Sequence, residues 1–401
     1  MSNEQRPGLR LKPKEHKRLA AGHPWVYSNE VDNAASPLKG FAPGALVTLE
    51  RSDGTPLGVA YVNPHSLIAA RLLSRQAERP IDAAFFVERL RQALVLRRRF
   101  FHEPYYRLVF GESDGLPGLV VDRYDDILVA QALSAGIDVL KPVIEEALAA
   151  VFEPRGLLWR NDVAVRELEG LEREVLTGFG DVPEEIEVQE AGLSFAVDPR
   201  HGQKTGWFFD QTVNRQRLLP WLRDGRVLDL YSYLGAWSIQ ALRAGARAAV
   251  AVESSPDAAE RIRANAERNR VADRLNVAAV DVDEYFDAAR KTRERFDAVI
   301  VDPPALVKKA RDKKAGLAAY RRINQAALPL VKLGGLLASF SCSAHVLTED
   351  LLAVINQAAR HVDREIQVLM PLAAGPDHPR HPLIAETGYL KGFLLRVLPA
   401  R

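Results

Sequence analysis

Consecutive apolar residues recur in short blocks along the second half of the chain, each followed by an amphipathic stretch. Val227-Leu228-Asp229-Leu230 precedes a helix from Trp237 to Ala244, Ala249 to Val252 precedes one from Pro256 to Asn269, and Val277 to Val280 precedes one from Asp283 to Lys291. Ala298 to Val301 leads to a helix from Ala318 to Val331, Leu336 to Phe340 to one from Thr348 to His361, and Tyr389 to Val397 supplies a late strand. Unbroken apolar strands alternating with helices predict a parallel sheet covered on both faces, a Rossmann-like α/β domain spanning 186–401.

The first half has a different rhythm. Up to Ser74 short strands are broken by turn signals: Leu46–Leu49 and Leu57–Tyr61 flank Ser52-Asp53-Gly54-Thr55, whose Asp-Gly supports the positive φ angles of a hairpin. A small β domain over 1–74 is expected. Between 75 and 185 a helix from Ile81 to Phe101 is followed by strands at Leu119–Val121 and Ile127–Ala130, a helix near Val139–Ala150, and strand-like pieces at Leu157–Trp159 and Val163–Val165. That is an α+β domain of strand, strand, helix, strand, strand. Arg97-Arg98-Arg99 reads as a solvated helix face.

Length and charge sharpen this picture. At 401 residues the chain exceeds what one core comfortably supports. Residues 1–110 carry 17 Lys and Arg against 10 Asp and Glu, and the remainder 37 against 42, so the front is basic and suits a polyanion such as RNA. No stretch reaches the roughly 18 apolar residues of a membrane span, and Met1–Pro7 opens no apolar run. A cytoplasmic protein with no membrane partner is expected, and the single cysteine agrees with a reducing compartment.

In open α/β sheets ligands bind outside the carboxyl ends of the strands. The loop after the first strand, Tyr231-Ser232-Tyr233-Leu234-Gly235-Ala236, lacks the Gly-x-Gly-x-x-Gly that lets a pyrophosphate approach a helix N-terminus. It suits an adenosine cofactor without phosphate, and S-adenosylmethionine is such a molecule. Asp229 ends the first strand, Glu253 ends the second with a carboxylate for the ribose hydroxyls, and Asp281 ends the third, in reach of an adenine amino group with Val282 against the ring. Each acid alone reads equally as a solvated strand end or a helix cap.

The fourth strand delivers Asp302-Pro303-Pro304, rigid because two prolines fix φ, and its expected neighbour ends at Cys342. A lone thiol is either an inert core residue or a nucleophile. Cytosine C5 becomes nucleophilic when a thiolate adds at C6 and N3 is protonated or hydrogen-bonded, which gives Cys342 and Asp302 a chemical rationale.

Lys204-Thr205-Gly206-Trp207-Phe208-Phe209-Asp210-Gln211, the Asp229–Ala236 loop, Asp302-Pro303-Pro304 and Phe340-Ser341-Cys342-Ser343 resemble the bacterial 23S ribosomal RNA cytosine-5 methyltransferases with an N-terminal PUA domain. Gly22-His23-Pro24-Trp25-Val26-Tyr27-Ser28 and Gly111–Gly118 extend the resemblance over nearly the whole chain. It implies a class I fold, S-adenosylmethionine as donor and 23S ribosomal RNA as acceptor. Lys204, Thr205 and Phe209 would flank the cofactor together with Tyr231, Ser232 and Gly235, and Cys342 would attack the base. Two departures stand out. No second cysteine follows the fourth strand, and Ala305 replaces a lysine after the prolines. The base that removes the C5 proton is unassigned, with ordered water, Asp302 and the Lys308–Lys314 loop as alternatives, and a homodimer is left open. The competing readings are methylation of another RNA atom, such as a guanine nitrogen, with Cys342 merely packed, or a non-catalytic RNA-binding or assembly protein.

Overall fold

The computed structural model describes residues 6–400; Met1–Gln5, within the stretch read as opening no apolar run, lie outside the described residues. The chain forms two units. The first runs to Ile186 and adds Asp198–Phe209 and Pro376–Ile384; the second takes Glu187–Val197, Asp210–Gly375 and the chain from Ala385 onward.

In the first unit a five-stranded sheet runs in the order Gly8–Arg10, Leu46–Glu50, Pro56–Val62, Ala70–Ser74, Trp25–Val26. The expected hairpin is its centre, with Gly54 at φ +85° in the turn. A second five-stranded sheet runs Val175–Gly180, Gly156–Arg160, Ile127–Ala132, Leu119–Tyr124, Tyr105–Phe110, under helices Ala83–Phe100 and Lys141–Phe152.

Two local expectations fail here for one reason, the burial of charge. Val163–Val165 is not a strand; the chain turns into a short 3-10 helix, Ala164–Glu169, that buries Arg166 and Glu169. Arg166 donates to the Ala132 carbonyl at 2.6 Å and to Asp138 at 2.8 Å, and Glu169 pairs with Arg71 at 2.9 Å. Such contacts satisfy buried charges that a strand would leave pointing elsewhere. Nor is the arginine triplet a uniformly solvated face. Arg98 and Arg99 are exposed, but Arg97 is fully buried and forks onto Asp114 at 2.6 and 2.7 Å.

The second unit carries the α/β sheet. Its strands, numbered along the chain, are β1 (Arg226–Leu230), β2 (Ala248–Val252), β3 (Leu275–Ala278), β4 (Phe296–Val301), β5 (Val331–Ser341), β6 (Arg364–Ala373) and β7 (Lys391–Pro399). They lie in the order β3-β2-β1-β4-β5-β7-β6, the first five parallel and β7 antiparallel to both its neighbours. The helices between them are α1 (Ala236–Arg243), α2 (Pro256–Arg268), α3 (Val282–Thr292), α4 (Lys313–Ala327) and α5 (Thr348–His361). The strand order reverses beside β1, so the carboxyl ends of β1 and β4 flank the crevice where such sheets bind ligands. Beneath it lies one continuous core that includes Leu228, Val250, Phe286, Val299, Leu337 and Leu395. Among the described residues no helix is long and apolar enough to cross a membrane.

Candidate active site

Asp229 is fully buried on β1. Its Oδ2 accepts from the Ser238 hydroxyl and, at 3.2 Å, from the Ser238 amide on α1, while Oδ1 is buried with no hydrogen-bond partner. Burial pushes its carboxyl up to about 7; the Ser238 hydrogen bonds oppose that rise and the charge of Asp302 adds to it. An unsatisfied buried oxygen at a strand end is a polar group prepared for a partner.

The following loop is folded by left-handed residues, Tyr231 (φ 64°), Tyr233 (φ 52°) and Gly235 (φ 77°). Gly235 is required twice over, because its φ disfavours side chains and a Cβ there would stand 2.8 Å from Ile262 Cγ2 on α2. Ser232 Oγ donates to the Asp229 carbonyl at 2.7 Å. Glu253 is buried, accepting the Tyr233 amide on Oε2 and the Ser255 amide on Oε1, both at 2.9 Å. A carboxylate oxygen takes more than one donor, so Glu253 keeps lone pairs for a diol while its rotamer is fixed.

Asp281 is positioned differently from the other acids. β3 ends at Ala278, and Asp281 is the exposed N-cap of α3, its Oδ1 accepting the Asp283 amide at 2.8 Å. Val282 belongs to the core. Lys204, Thr205 and Phe209 lie in the first unit. There Thr205 is buried with its hydroxyl on Asp122 and its carbonyl accepting from Tyr124, Phe209 packs on the Tyr124 ring at 5.1 Å, and Lys204 sits 4.2 Å over Phe208.

On the other side of the crevice β4 and β5 are hydrogen-bonded neighbours, with Val301 opposite Ser339. Asp302 and Cys342 therefore leave the sheet on one rim. Cys342 is half-buried, and its Sγ lies 3.8 Å from the Pro303 carbonyl oxygen. Asp302 Oδ2 accepts from Gln211 Nε2 at 2.9 Å and from the Trp237 indole at 3.4 Å. Trp237 in turn packs on Phe340 at 5.5 Å, and Gln211 is held by Asn214 at 2.7 Å. Gln211 and Trp237 escaped the sequence reading as site residues, although Gln211 closes the quoted Lys204–Gln211 motif and Trp237 sits just beyond the β1 loop.

Residues 9–75 match a PUA-like domain and residues 172–396 an S-adenosylmethionine-dependent methyltransferase domain. The chain is 34% identical over 389 residues to the ribosomal RNA large subunit methyltransferase I of Cronobacter sakazakii, covering 95% of this chain and 97% of that one. The chain belongs to that family. The namesake from Salmonella arizonae is 35% identical over 399 residues, covering 98% of both chains. A putative methyltransferase solved with SAH, SMU.776, has the same fold, with a TM-score of 0.82 at 21% identity over 97% of this chain and all of that one.

Membership makes S-adenosylmethionine the cofactor. The residues of this crevice fit it: the unpartnered buried Asp229 oxygen suits a cationic ligand, and Glu253 suits a ribose diol, with no glycine cradle for a pyrophosphate.

Proposed function

We propose that the chain methylates C5 of a cytosine in large-subunit (23S) ribosomal RNA, with Cys342 as nucleophile and Asp302 as the partner of the base's N3 edge. The observation that carries this reading is the 3.8 Å separation of Cys342 Sγ from the Pro303 carbonyl, which sets the only thiol of the chain against the Asp302-Pro303-Pro304 segment.

When bound, the cofactor supplies an electrophilic methyl group on a sulfonium. The chain must make C5 able to take it. Cys342, as thiolate, forms a bond from Sγ to C6, and the displaced electron pair moves toward C5 while a proton that the Asp302 carboxyl takes up from solvent is shared with N3 and offsets the charge developing in the ring. After C5 gains the methyl, loss of the C5 proton to a base restores the double bond and expels the Cys342 thiolate. Gln211 and Trp237 orient the Asp302 carboxylate. Pro303 and Pro304 keep the chain beside it stiff, so that little geometry has to be recovered at each turnover.

On this reading Asp229, Tyr231, Ser232, Gly235 and Glu253 hold the cofactor, with Asp281 and Val282 toward the adenine. The basic stretch 1–110, with its PUA-like domain, grips the RNA through phosphate contacts. Nucleoside mass mapping of large-subunit RNA from cells with and without the gene tests this. Loss of one 5-methylcytidine is expected, whereas loss of a methylated guanine, or of nothing, contradicts the assignment.

A further inference from the structure

The residues on either side of Cys342 are both serines, and both hydroxyls are buried. They converge on one side chain. Ser341 Oγ donates to Tyr320 Oη at 2.8 Å, and Tyr320 Oη lies 2.9 Å from Ser343 Oγ. Tyr320 stands on α4 and is fully buried. Ser343 Oγ also accepts the Val307 amide at 3.0 Å. With Ser341 already donating to Oη, the tyrosine proton is directed to Ser343 Oγ, and burial raises the phenol's pKa so that it stays a donor.

Leu306 and Val307 are the continuation of Asp302-Pro303-Pro304-Ala305. The cluster therefore fastens the segment after Asp302 to the segment carrying Cys342, through a helix that belongs to neither strand. Two further features hold these parts together. Gly316 on α4 lets the loop lie against the helix, since a Cβ there would stand 2.1 Å from Val307 Cγ2 and 2.9 Å from the Leu306 carbonyl. Lys391, buried on β7 opposite Ser341, donates through Nζ to the carbonyls of Ser343 and Val346 at 2.6 and 2.7 Å, pinning the turn from its other side.

We propose that Tyr320 is a positioning residue for the methyl transfer: its hydroxyl ties both serines flanking Cys342 to the loop that follows Asp302, and so fixes the thiol relative to the carboxyl. This rests on Cys342 acting as the nucleophile. Loss of a buried hydroxyl cluster that served stability alone would lower the melting temperature and leave the turnover of folded enzyme untouched.

Tyr320→Phe removes one oxygen and keeps the ring in its core position. In the full chain, kcat is expected to fall by at least about tenfold, with KM for RNA and calorimetric affinity for S-adenosylmethionine within about twofold of wild type, because positioning is lost and binding is not. Native-state alkylation by iodoacetamide, read by intact mass on the only cysteine, is expected to rise about threefold or more as the turn loosens. Turnover within about twofold of wild type in folded Tyr320→Phe overturns the proposal. Should Tyr320→Phe fail to fold, Ser343→Ala, which removes the acceptor shared by Tyr320 and Val307, is judged by the same results. The two readings fail separately: methylation surviving in Cys342→Ala sinks the nucleophile, while alkylation of Cys342 in the Tyr320 variant still reports whether the tether holds the turn.

Discussion

Gln211 reaches Asp302 across 91 positions of sequence, its Nε2 donating to the carboxylate at 2.9 Å. The amide is itself oriented by Asn214, so it presents its donor end to Asp302 and its acceptor end away from it. Gln211→Leu keeps the bulk and removes both. Steady-state assays should show kcat reduced about 10- to 100-fold with KM little changed, since a misaimed carboxylate costs transition-state stabilisation more than binding. An unchanged kcat would mean that Asp302 needs no such orientation.

Asp229 gives the protein a pH dependence of defined sign. Its carboxyl titrates near 7 when folded against 3.8 when unfolded, so the proton it retains contributes stability that is complete below pH 3.8 and is lost as pH rises through 7. Urea midpoints should therefore decline from pH 5 to pH 8 more in wild type than in Asp229→Asn, where the titration is gone.

Cofactor affinity should run the opposite way at the same residue. A cationic ligand prefers the ionised carboxylate, so S-adenosylmethionine binding by calorimetry should strengthen between pH 5.5 and 7, by at most about tenfold per pH unit. Asp229→Asn should bind more weakly at pH 7 and show a flatter profile. A wild-type profile already flat would place the cofactor's charge elsewhere.

Arg97 is a structural counterpart with no part in the chemistry. Its guanidinium forks onto Asp114, donates to the Arg107 carbonyl at 2.9 Å and is fully buried. Arg97→Met strands the Asp114 carboxylate, and breaking a buried pair from one side costs about 3–5 kcal/mol. Denaturant titration should register a loss of that order. Arg98→Met, on the exposed face, should change stability by less than about 0.5 kcal/mol.

The α/β sheet was legible because its parallel strands are covered on both faces, so Val227–Leu230 and Ala298–Val301 show unbroken apolar runs. β6 was not. As an edge strand it exposes Val368 and Leu369 and mixes in Arg364, Glu365 and Gln367, so its pattern carries neither period clearly. Tyr105–Phe110 was missed through the charged Arg107 at its centre, which pairs with buried Asp122 at 2.7 Å. The same difficulty hid Arg97 and Arg166, since a side chain's burial depends on partners that sequence spacing does not reveal.

Within the candidate site, the strand-end residues Asp229, Glu253, Asp302 and Cys342 could be read from the alternation of strand and helix. Gln211, Trp237 and Tyr320 could not, because their roles arise only where distant segments meet. Asp281 shows the converse: expected as the end of the third strand, it lies three positions past β3 in the structure and caps α3.

The central claim is a covalent bond between Cys342 and a pyrimidine, and mechanism-based trapping tests it most directly. Large-subunit RNA transcribed with 5-azacytidine in place of cytidine blocks release of the adduct, so wild-type protein with S-adenosylmethionine should give a complex stable to denaturing electrophoresis, with Cys342 as the modified residue by peptide mass. Cys342→Ala should give none. Wild-type protein that methylates unmodified RNA yet forms no trapped complex, or a Cys342→Ala variant that still forms one, would contradict the account.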